Sequence, residues 1–358
     1  MTGTEAPEGT PTRAPTIRDV ASLAGVGVKT VSRVLNDEPN VRPEMRARVL
    51  EAARTLKYRR NSIASAIRRL DQRTASIGLV VEDLANPFAA QLTRAVQDYA
   101  LRRQHLVLVG SSDGVPERER DLVTEFCSRR VDGLLVVPSG ADQSYLEPER
   151  DRGTPVVFVD RPGRRIKADT VIADNEAAVR RAVNHLASRG HTRIGYLGDR
   201  QSVYTAAQRA AGYREAIREI GREPLDRTGL RDSESAYRAA LEMLEAGPTA
   251  LVCGNNVITA GAVHAMQQLG LRDRVAVIGF DDLELADLLR PALTVLAQDV
   301  TGIGERAAEL LFGQLAKPGG PYQRITLPVT LIPRGSGELP ADGRLHPAGR
   351  PDTDAPGG

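Results

Sequence analysis

The chain lacks the features that would place it in a membrane, an oxidised compartment or a metal site. It has no tryptophan and two cysteines, Cys127 and Cys253, each in an apolar or helical setting without a partner at metal-ligand spacing. Buried thiols are expected, with no disulfide or zinc framework. No apolar run approaches the ~18–20 residues of a membrane-spanning helix, and the polar N-terminus has no signal-peptide core. The expectation is a soluble, cytoplasmic protein with no membrane partner. There is no P-loop, no H-E-x-x-H and no clear dinucleotide fingerprint, so neither cofactor nor metal is expected. One lookalike stands out: Gly110-Ser111-Ser112-Asp113-Gly114 fits G-x-S-x-G behind an apolar strand, where a nucleophile elbow would sit. A hydrolase would also need an acid and then a histidine poised near Ser112, and none of the five histidines has such a setting. No catalytic residue is assigned, and the chain reads as a non-enzyme.

What is present is unevenly distributed. A length of 358 residues suits two or three domains. The net charge is only +2, yet residues 16–73 hold thirteen Lys/Arg against six Asp/Glu, an excess of +7 that leaves −5 for the remainder. A basic head on an acidic body is the footprint of a polyanion partner. A membrane-surface patch would look similar, but this segment lacks the aromatic anchors such helices use.

Within that head, Thr16 to Asn36 reads as two short helices joined by a tight turn. Thr16 and Asp19 form a capping-box-like pair, with the acidic member suited to the positive helix end. Ile17, Val20, Ala21 and Ala24 make one apolar stripe on a helix too short to stand alone. Gly25-Val26-Gly27 breaks the helix, and Val26 plugs the angle. Val31, Val34 and Leu35 then face inward, leaving Val28, Lys29, Ser32 and Arg33 outward, as major-groove reading requires. Short helical hairpins also occur in ordinary cores, and a basic face is often merely solvated. A third helix starts at Pro43 and carries Val49, Leu50, Ala53 and Leu56 on its inner face. Tyr58 closes the unit, and its neighbours Lys57, Arg59 and Arg60 could touch backbone phosphate. The segment Asn61 to Thr74 is basic with a narrow apolar edge of Ile63, Ala64 and Ile67. Such a segment is either a plain linker or one that folds on binding; being basic, it could fold on DNA, where an apolar side chain could wedge into a minor-groove step.

From Ser76 onward, apolar runs recur at Ile77–Val81, Leu106–Val109, Leu134–Val137, Val156–Val159, Ile194–Leu197, Ala250–Cys253 and Val275–Ile278. Helical stretches lie between most of them, which means βαβ units and parallel sheets. The length favours two similar lobes, with a ligand cleft at the carboxyl ends of the strands. Polar strand ends would line it: Glu82-Asp83 with Asn86, Ser111-Ser112-Asp113, Asp160-Arg161, Asn255-Asn256 and Asp281-Asp282. Such residues also end strands simply because they make turns. The expected organisation is a disordered tail (1–15), a helix-turn-helix domain (16–60), a linking segment (61–75), a two-lobe body (76–336) and a disordered tail (337–358).

The motifs TIRDVASLAGVGVKTVSRVLN, IGLVVEDLANPF, VDGLLVVPS, VVFVDRP, HLASRGHTRIGYLG, QRAAGYREA, VIGFDD and LIPRGS, taken in order, resemble the lactose/galactose repressor (LacI/GalR) family from about Thr16 to Ser336. The resemblance implies an all-α helix-turn-helix headpiece and an α/β body of periplasmic-binding-protein type, with two doubly wound parallel sheets. It implies a transcriptional regulator, commonly a repressor, acting as a homodimer or homotetramer on pseudo-palindromic double-stranded operator DNA. A small effector, a sugar as the leading class, would control it. A two-lobe solute-binding protein is the alternative, opposed by the basic head and the missing signal peptide.

By resemblance, Val28 and Lys29 select operator bases and Arg33 reads guanine. Thr30, Ser32 and Asn36 contact or support the backbone; apart from the resemblance, Arg59 and Asn61, in the basic stretch after the third helix, are counted as candidate DNA contacts. Ile67 matches an intercalating leucine, with Ala64 three residues before it. In the cleft, Arg209 grips the ligand, Asn255 and Asp281 are polar contacts, Asp160, Arg161 and Gln298 lie nearby, and Phe88 is the aromatic neighbour. The chain also departs from the family pattern. Gly27 replaces a serine, Lys57 and Arg60 replace Gly and Pro, and the segment from Ala64 to Gly78 is two residues longer. Ala89 replaces a second aromatic, and Asn256 stands where Asp is usual.

Overall fold

The structure, a computed structural model, describes residues 15–35, 38–39, 41–58 and 74–341. The expected linking segment, apart from its last two residues, and most of both expected tails lie outside these residues. Contacts divide the chain into two units that meet between Thr74 and Ala75.

The first unit contains α1 (Ile17–Ala24), α2 (Val28–Leu35) and α3 (Pro43–Thr55). Each is too short to persist in water alone, so their shared core holds them. Val20, Ala21, Ala24, Val31, Val34, Val49 and Ala52 are buried, with Ile17, Val26, Leu35, Leu56 and Tyr58 packed around them. At the start of α1 the Asp19 carboxylate accepts from both the backbone N–H (2.6 Å) and the hydroxyl (2.7 Å) of Thr16. Gly25 closes the helix at φ 62°, a left-handed conformation that a side chain would strain. Arg48 of α3 then donates to the carbonyls of Ala24 (2.5 Å) and Gly25 (3.4 Å), setting a cation on the negative end of α1. Leu50 departs from expectation: it is 38% exposed, because the inner face of α3 runs through Val49, Ala52, Ala53 and Leu56.

The second unit is built on β1 (Ser76–Val81), β2 (Leu106–Ser111), β3 (Leu134–Val136), β4 (Val156–Asp160), β5 (Asp169–Ala173), β6 (Ile194–Asp199), β7 (Leu225–Leu230), β8 (Ala250–Cys253), β9 (Ala276–Phe280), β10 (Thr294–Gln298), β11 (Arg324–Leu327) and β12 (Val329–Ile332). One sheet runs β2-β1-β3-β4-β5-β11 and the other β7-β6-β8-β9-β10-β12. The two orders are equivalent, strand for strand. Every pairing is parallel except β12 on β10, so the second sheet ends in an antiparallel edge.

The described helices of this unit are α4 (Pro87–Leu101), α5 (Pro116–Ser128), α6 (Glu147–Asp151), α7 (Asn175–Ala187), α8 (Tyr204–Glu219), α9 (Ser233–Glu245), α10 (Asn256–Gln268) and α11 (Val300–Ala316). The chain crosses between lobes at Asp174, Asp299 and Pro328, since β5 is followed by α7 on α8, β10 by α11 on α4, and β11 by β12. Asp174 and Asp299 share one backbone conformation, with φ −80° in both and ψ 76° and 75°. Each caps the helix that follows, accepting from Ala177 N and Gly302 N. The apolar runs marked the central strands, but β5, β7, β10, β11, β12 and α11 escaped them. Of these, β7 and β11 are edge strands with partly exposed, mixed-polarity faces.

The body also extends beyond Ser336. Glu338 accepts from Thr294 Oγ1 and from His185 Nε2, both at 2.6 Å, and Leu339 is buried beside His191, whose Nε2 meets the Leu339 carbonyl at 2.8 Å. The expected tail from 337 is therefore structured through Ala341. Its anchors are the Glu338 carboxylate and the buried Leu339, two residues that the composition of the segment does not reveal.

Candidate DNA-reading helix and effector cleft

In the headpiece, α2 buries Val31 and Val34 and turns Val28 and Lys29 to solvent, with Thr30, Ser32 and Arg33 partly exposed. Gly27 opens the helix: its carbonyl accepts from Thr30 N (2.9 Å) and Val31 N (3.2 Å), but it offers no side chain to cap the free N–H groups. Nothing lies within 4 Å of the place a Cβ would take at Gly27, so the absent hydroxyl is not forced by crowding. The Nε of Arg33 donates to Glu38 Oε2 at 3.2 Å. Asn36, Arg59, Asn61, Ala64 and Ile67 lie outside the described residues.

In the body, the carboxyl ends of the strands converge on a cavity of about 180 Å³ between the lobes. Both sheets reverse their order beside their first strands, β1 and β6, which is where open α/β sheets bind ligands. The structure brings Phe88, Asp160, Arg161, Arg209, Asn255, Asp281 and Gln298 all to this cavity, together with Glu82, Asp83, Asn86 and Asn256. Ser111, Ser112, Asp113 and Asp282 do not line it. Asp199, Arg200 and Arg231 also line it, although none stands among the residues expected from the sequence. The first two follow the apolar run of β6 in the same strand-then-polar-end pattern and were detectable.

Asp160 and Asp281 occupy equivalent places, each following the buried run of the fourth strand of its lobe. Both adopt left-handed backbone, with φ 69° and 70°, which costs a non-glycine residue about 1–3 kcal/mol and clusters at functional sites. Their surroundings differ. Arg161 donates through Nε to Asp160 (2.9 Å) and through Nη2 to Glu82 (2.6 Å). Burial opposes the Arg161 charge, but the two carboxylates outweigh it and hold its pKa above the ordinary arginine value. Asp281 accepts from Gln298 Nε2 at 2.6 Å. Burial pushes the Asp281 carboxyl above its usual range, with Arg209 and Gln298 pulling the other way and Asp160 adding to the rise.

Arg209 is itself buried and fixed on three sides. Its Nε donates to Asn175 Oδ1 and its Nη1 to the Gly254 carbonyl, both at 2.7 Å, while its guanidinium lies 3.6 Å from the Phe280 ring centre. Asn255 is partly committed to structure, since its Oδ1 caps α10 by accepting from Ile258 N at 2.8 Å.

Two contacts cross the cleft directly. Asn256 Nδ2 donates to Asn86 Oδ1 at 3.0 Å, and Arg200 approaches Glu82 at 4.0 Å. Both amide orientations are set locally: Asn86 Oδ1 accepts from Phe88 N, and Asn256 Oδ1 from Val257 N. An aspartate at 256 would set a carboxylate oxygen against the Asn86 Oδ1 acceptor there.

Ser112 is buried, its Oγ bonded to the Val81 carbonyl (3.2 Å) and Ser139 Oγ (2.9 Å), and the described histidines are engaged elsewhere. The G-x-S-x-G stretch is therefore packing. Among the described residues no group of His, Cys, Asp and Glu is arranged to hold a metal, and no helix is long and apolar enough to cross a membrane.

Comparison with known proteins agrees with this architecture. Residues 16–61 match the family described as bacterial regulatory proteins, lacI family, and residues 183–337 match a periplasmic binding protein-like domain. The HTH-type transcriptional regulator GalR of Escherichia coli (strain K12) is 31% identical over 340 residues, spanning 93% of this chain and 98% of GalR. The crystal structure of the lac repressor dimer bound to operator and the anti-inducer ONPF superposes with a TM-score of 0.81 at 27% identity, covering 91% of this chain and 99% of that one. The complex of the transcriptional regulator CelR with cellobiose gives a TM-score of 0.67 at 28% identity, covering 90% and 99%. A helix-turn-helix headpiece followed by a two-lobe body with a polar cleft, joined to this similarity along nearly the whole chain, makes the protein a member of the LacI/GalR family, a DNA-binding transcriptional regulator with an effector-binding domain rather than an enzyme.

Proposed function

We propose that the chain is a repressor that binds pseudo-palindromic operator DNA as a homodimer or homotetramer and is controlled by a neutral sugar held between the lobes. The observation that carries the effector class is the chemistry of the cavity. Asp160 and Asp281 offer carboxylate oxygens from opposite lobes, Arg209 and Asn255 offer donors, and Phe88 is the one aromatic ring on the lining. Sugar hydroxyls both donate and accept, which such a mixed set satisfies, whereas a planar base needs ring faces on which to stack. The relative bound to cellobiose is consistent with this class. In the headpiece, Val28, Lys29 and Arg33 read bases, and Thr30 and Ser32 support the backbone contacts. Asn36, Ala64 and Ile67 are assigned to the DNA interface by resemblance, and Arg59 and Asn61 by their place in the basic stretch after α3.

Effector binding acts by favouring one arrangement of the lobes about Asp174, Asp299 and Pro328. By linkage it changes operator affinity only as far as its own affinity differs between those arrangements. Selection of operators from random DNA, followed by calorimetry with neutral sugars, sugar phosphates and purines, tests the reading. A palindromic site and a neutral sugar that alters its occupancy are expected. Binding of a purine or an anionic compound alone would remove the sugar assignment, and the absence of any palindromic site would remove the operator assignment.

A further inference from the structure

Arg33 is the one cation on the outward face of α2 that the described residues hold in place, and the group holding it is Glu38, just beyond the helix. The pair is partly solvated, with side chains 41% and 45% exposed, so as a surface ion pair it adds little to stability. Its construction is more informative than its strength. The backbone of Glu38 is fixed at both ends of its peptide groups: its N–H donates to the Arg33 carbonyl at 3.0 Å, and its carbonyl accepts from Arg46 Nη2 of α3 at 3.0 Å. The carboxylate is therefore built into the junction between α2 and α3 rather than hanging from a free loop. It takes the Nε edge of Arg33, and among the described residues nothing takes the Nη1 and Nη2 end, which forms the open fork. That end presents two parallel N–H groups, the arrangement that reads O6 and N7 of guanine.

We propose that Glu38 is a positioning residue for base reading, holding the Nε edge of Arg33 so that its terminal fork is aimed at a guanine before DNA arrives. This rests on the reading of α2 as the base-reading helix. The carboxylate has a second, opposite effect: a negative charge close to the DNA backbone lowers affinity for every sequence. Glu38 thus raises discrimination at one base pair while reducing overall affinity, and two substitutions separate these effects. Glu38→Gln keeps an oxygen for the Arg33 Nε but removes the charge. Glu38→Ala removes both.

The experiment measures binding of the full chain to its selected operator and to duplexes carrying each alternative base pair at the position where Arg33→Ala abolishes preference. Wild type, E38Q, E38A and R33A are compared at one salt concentration, with thermal unfolding to confirm folding. Wild type is expected to prefer guanine there by tenfold or more. E38Q is expected to keep that preference within about twofold and to bind all sequences more tightly. E38A is expected to lose at least threefold of the preference at that base pair only. An E38A variant that behaves as E38Q does, or whose guanine preference rises, overturns the proposal, since Glu38 would then only repel DNA or compete for Arg33. A wild-type chain that selects no sequence overturns the base-reading assignment itself, a failure distinct from that of Glu38.

Discussion

The two lobes of the body share a strand order and a left-handed aspartate behind the fourth strand, yet they use that aspartate differently. Asp160 is tied to Arg161, which also holds Glu82, so its charge is largely answered within its own lobe. Asp281 has the neutral Gln298 amide as its direct partner, and burial has raised its pKa. The same backbone position thus supplies a settled ion pair on one side and an underserved acceptor on the other. The asymmetry arises from the partner each aspartate meets, the adjacent Arg161 in one lobe and Gln298 at the end of β10 in the other, and not from the strand order.

The largest test of this asymmetry is Arg209→Lys. It keeps a charge, but one ammonium cannot hold Asn175 and Gly254 and also present a donor to the effector as the guanidinium can, and a lost charged hydrogen bond to the effector is worth about 1.5–3 kcal/mol. Effector affinity measured by calorimetry is expected to fall by roughly 10- to 100-fold. Next come the paired substitutions Asp281→Asn and Asp160→Asn. The first is expected to lower effector affinity by about tenfold, as loss of one charged acceptor does, with little change in stability. The second is expected to cost about 1–3 kcal/mol in unfolding free energy, because the largely covered Arg161 loses one of its two carboxylate partners, while lowering affinity less. Equal effects of the two on affinity would erase the distinction between the lobes.

The pH response sharpens it further. The folded pKa of Asp281 lies above its unfolded value, so the folded state takes up the proton first, and this group stabilises the fold as pH falls through the raised pKa. Effector affinity moves the other way, falling severalfold over that window as the carboxylate becomes protonated. Asp281→Asn is expected to remove the dependence, measured by calorimetry across the acid range. Smaller still is Asn256→Asp, which places two acceptors face to face across the cleft. It is expected to favour the open arrangement by about 1 kcal/mol, read as a larger radius of gyration in solution scattering without effector. Gly27→Ser, outside both lobes, sets the baseline: a few tenths of a kcal/mol of added headpiece stability from the new cap, with effector binding unchanged.

Much of this was legible along the chain because it depends on local periodicity. The capping pair Thr16 and Asp19, the break at Gly25 and the central buried strands all carry their signals within a few residues. The polar strand ends likewise pointed to Glu82, Asp160 and Asp281. What stayed hidden depends on pairing at long range. Arg48 closing α1, Asn86 meeting Asn256, and Glu338 joining His185 and Thr294 each need a second residue 24, 170 or 153 positions away. Leu50 was misplaced for a local reason: two apolar neighbours on one helix cannot both face a narrow core, and Val49 took the inward place. The shared left-handed geometry of Asp160 and Asp281 is a backbone property that neither residue type announces.

The central claim is that the cleft between the lobes governs the headpiece's hold on DNA. Its most direct test is operator affinity of the wild-type chain and of Arg209→Lys, each measured with and without an effector at a concentration that saturates wild type. The account predicts at least a fivefold change in wild-type affinity on adding effector and a change several times smaller in the variant. An effector that saturates the wild-type cleft yet leaves operator affinity unmoved, or one that shifts both proteins equally, would contradict it.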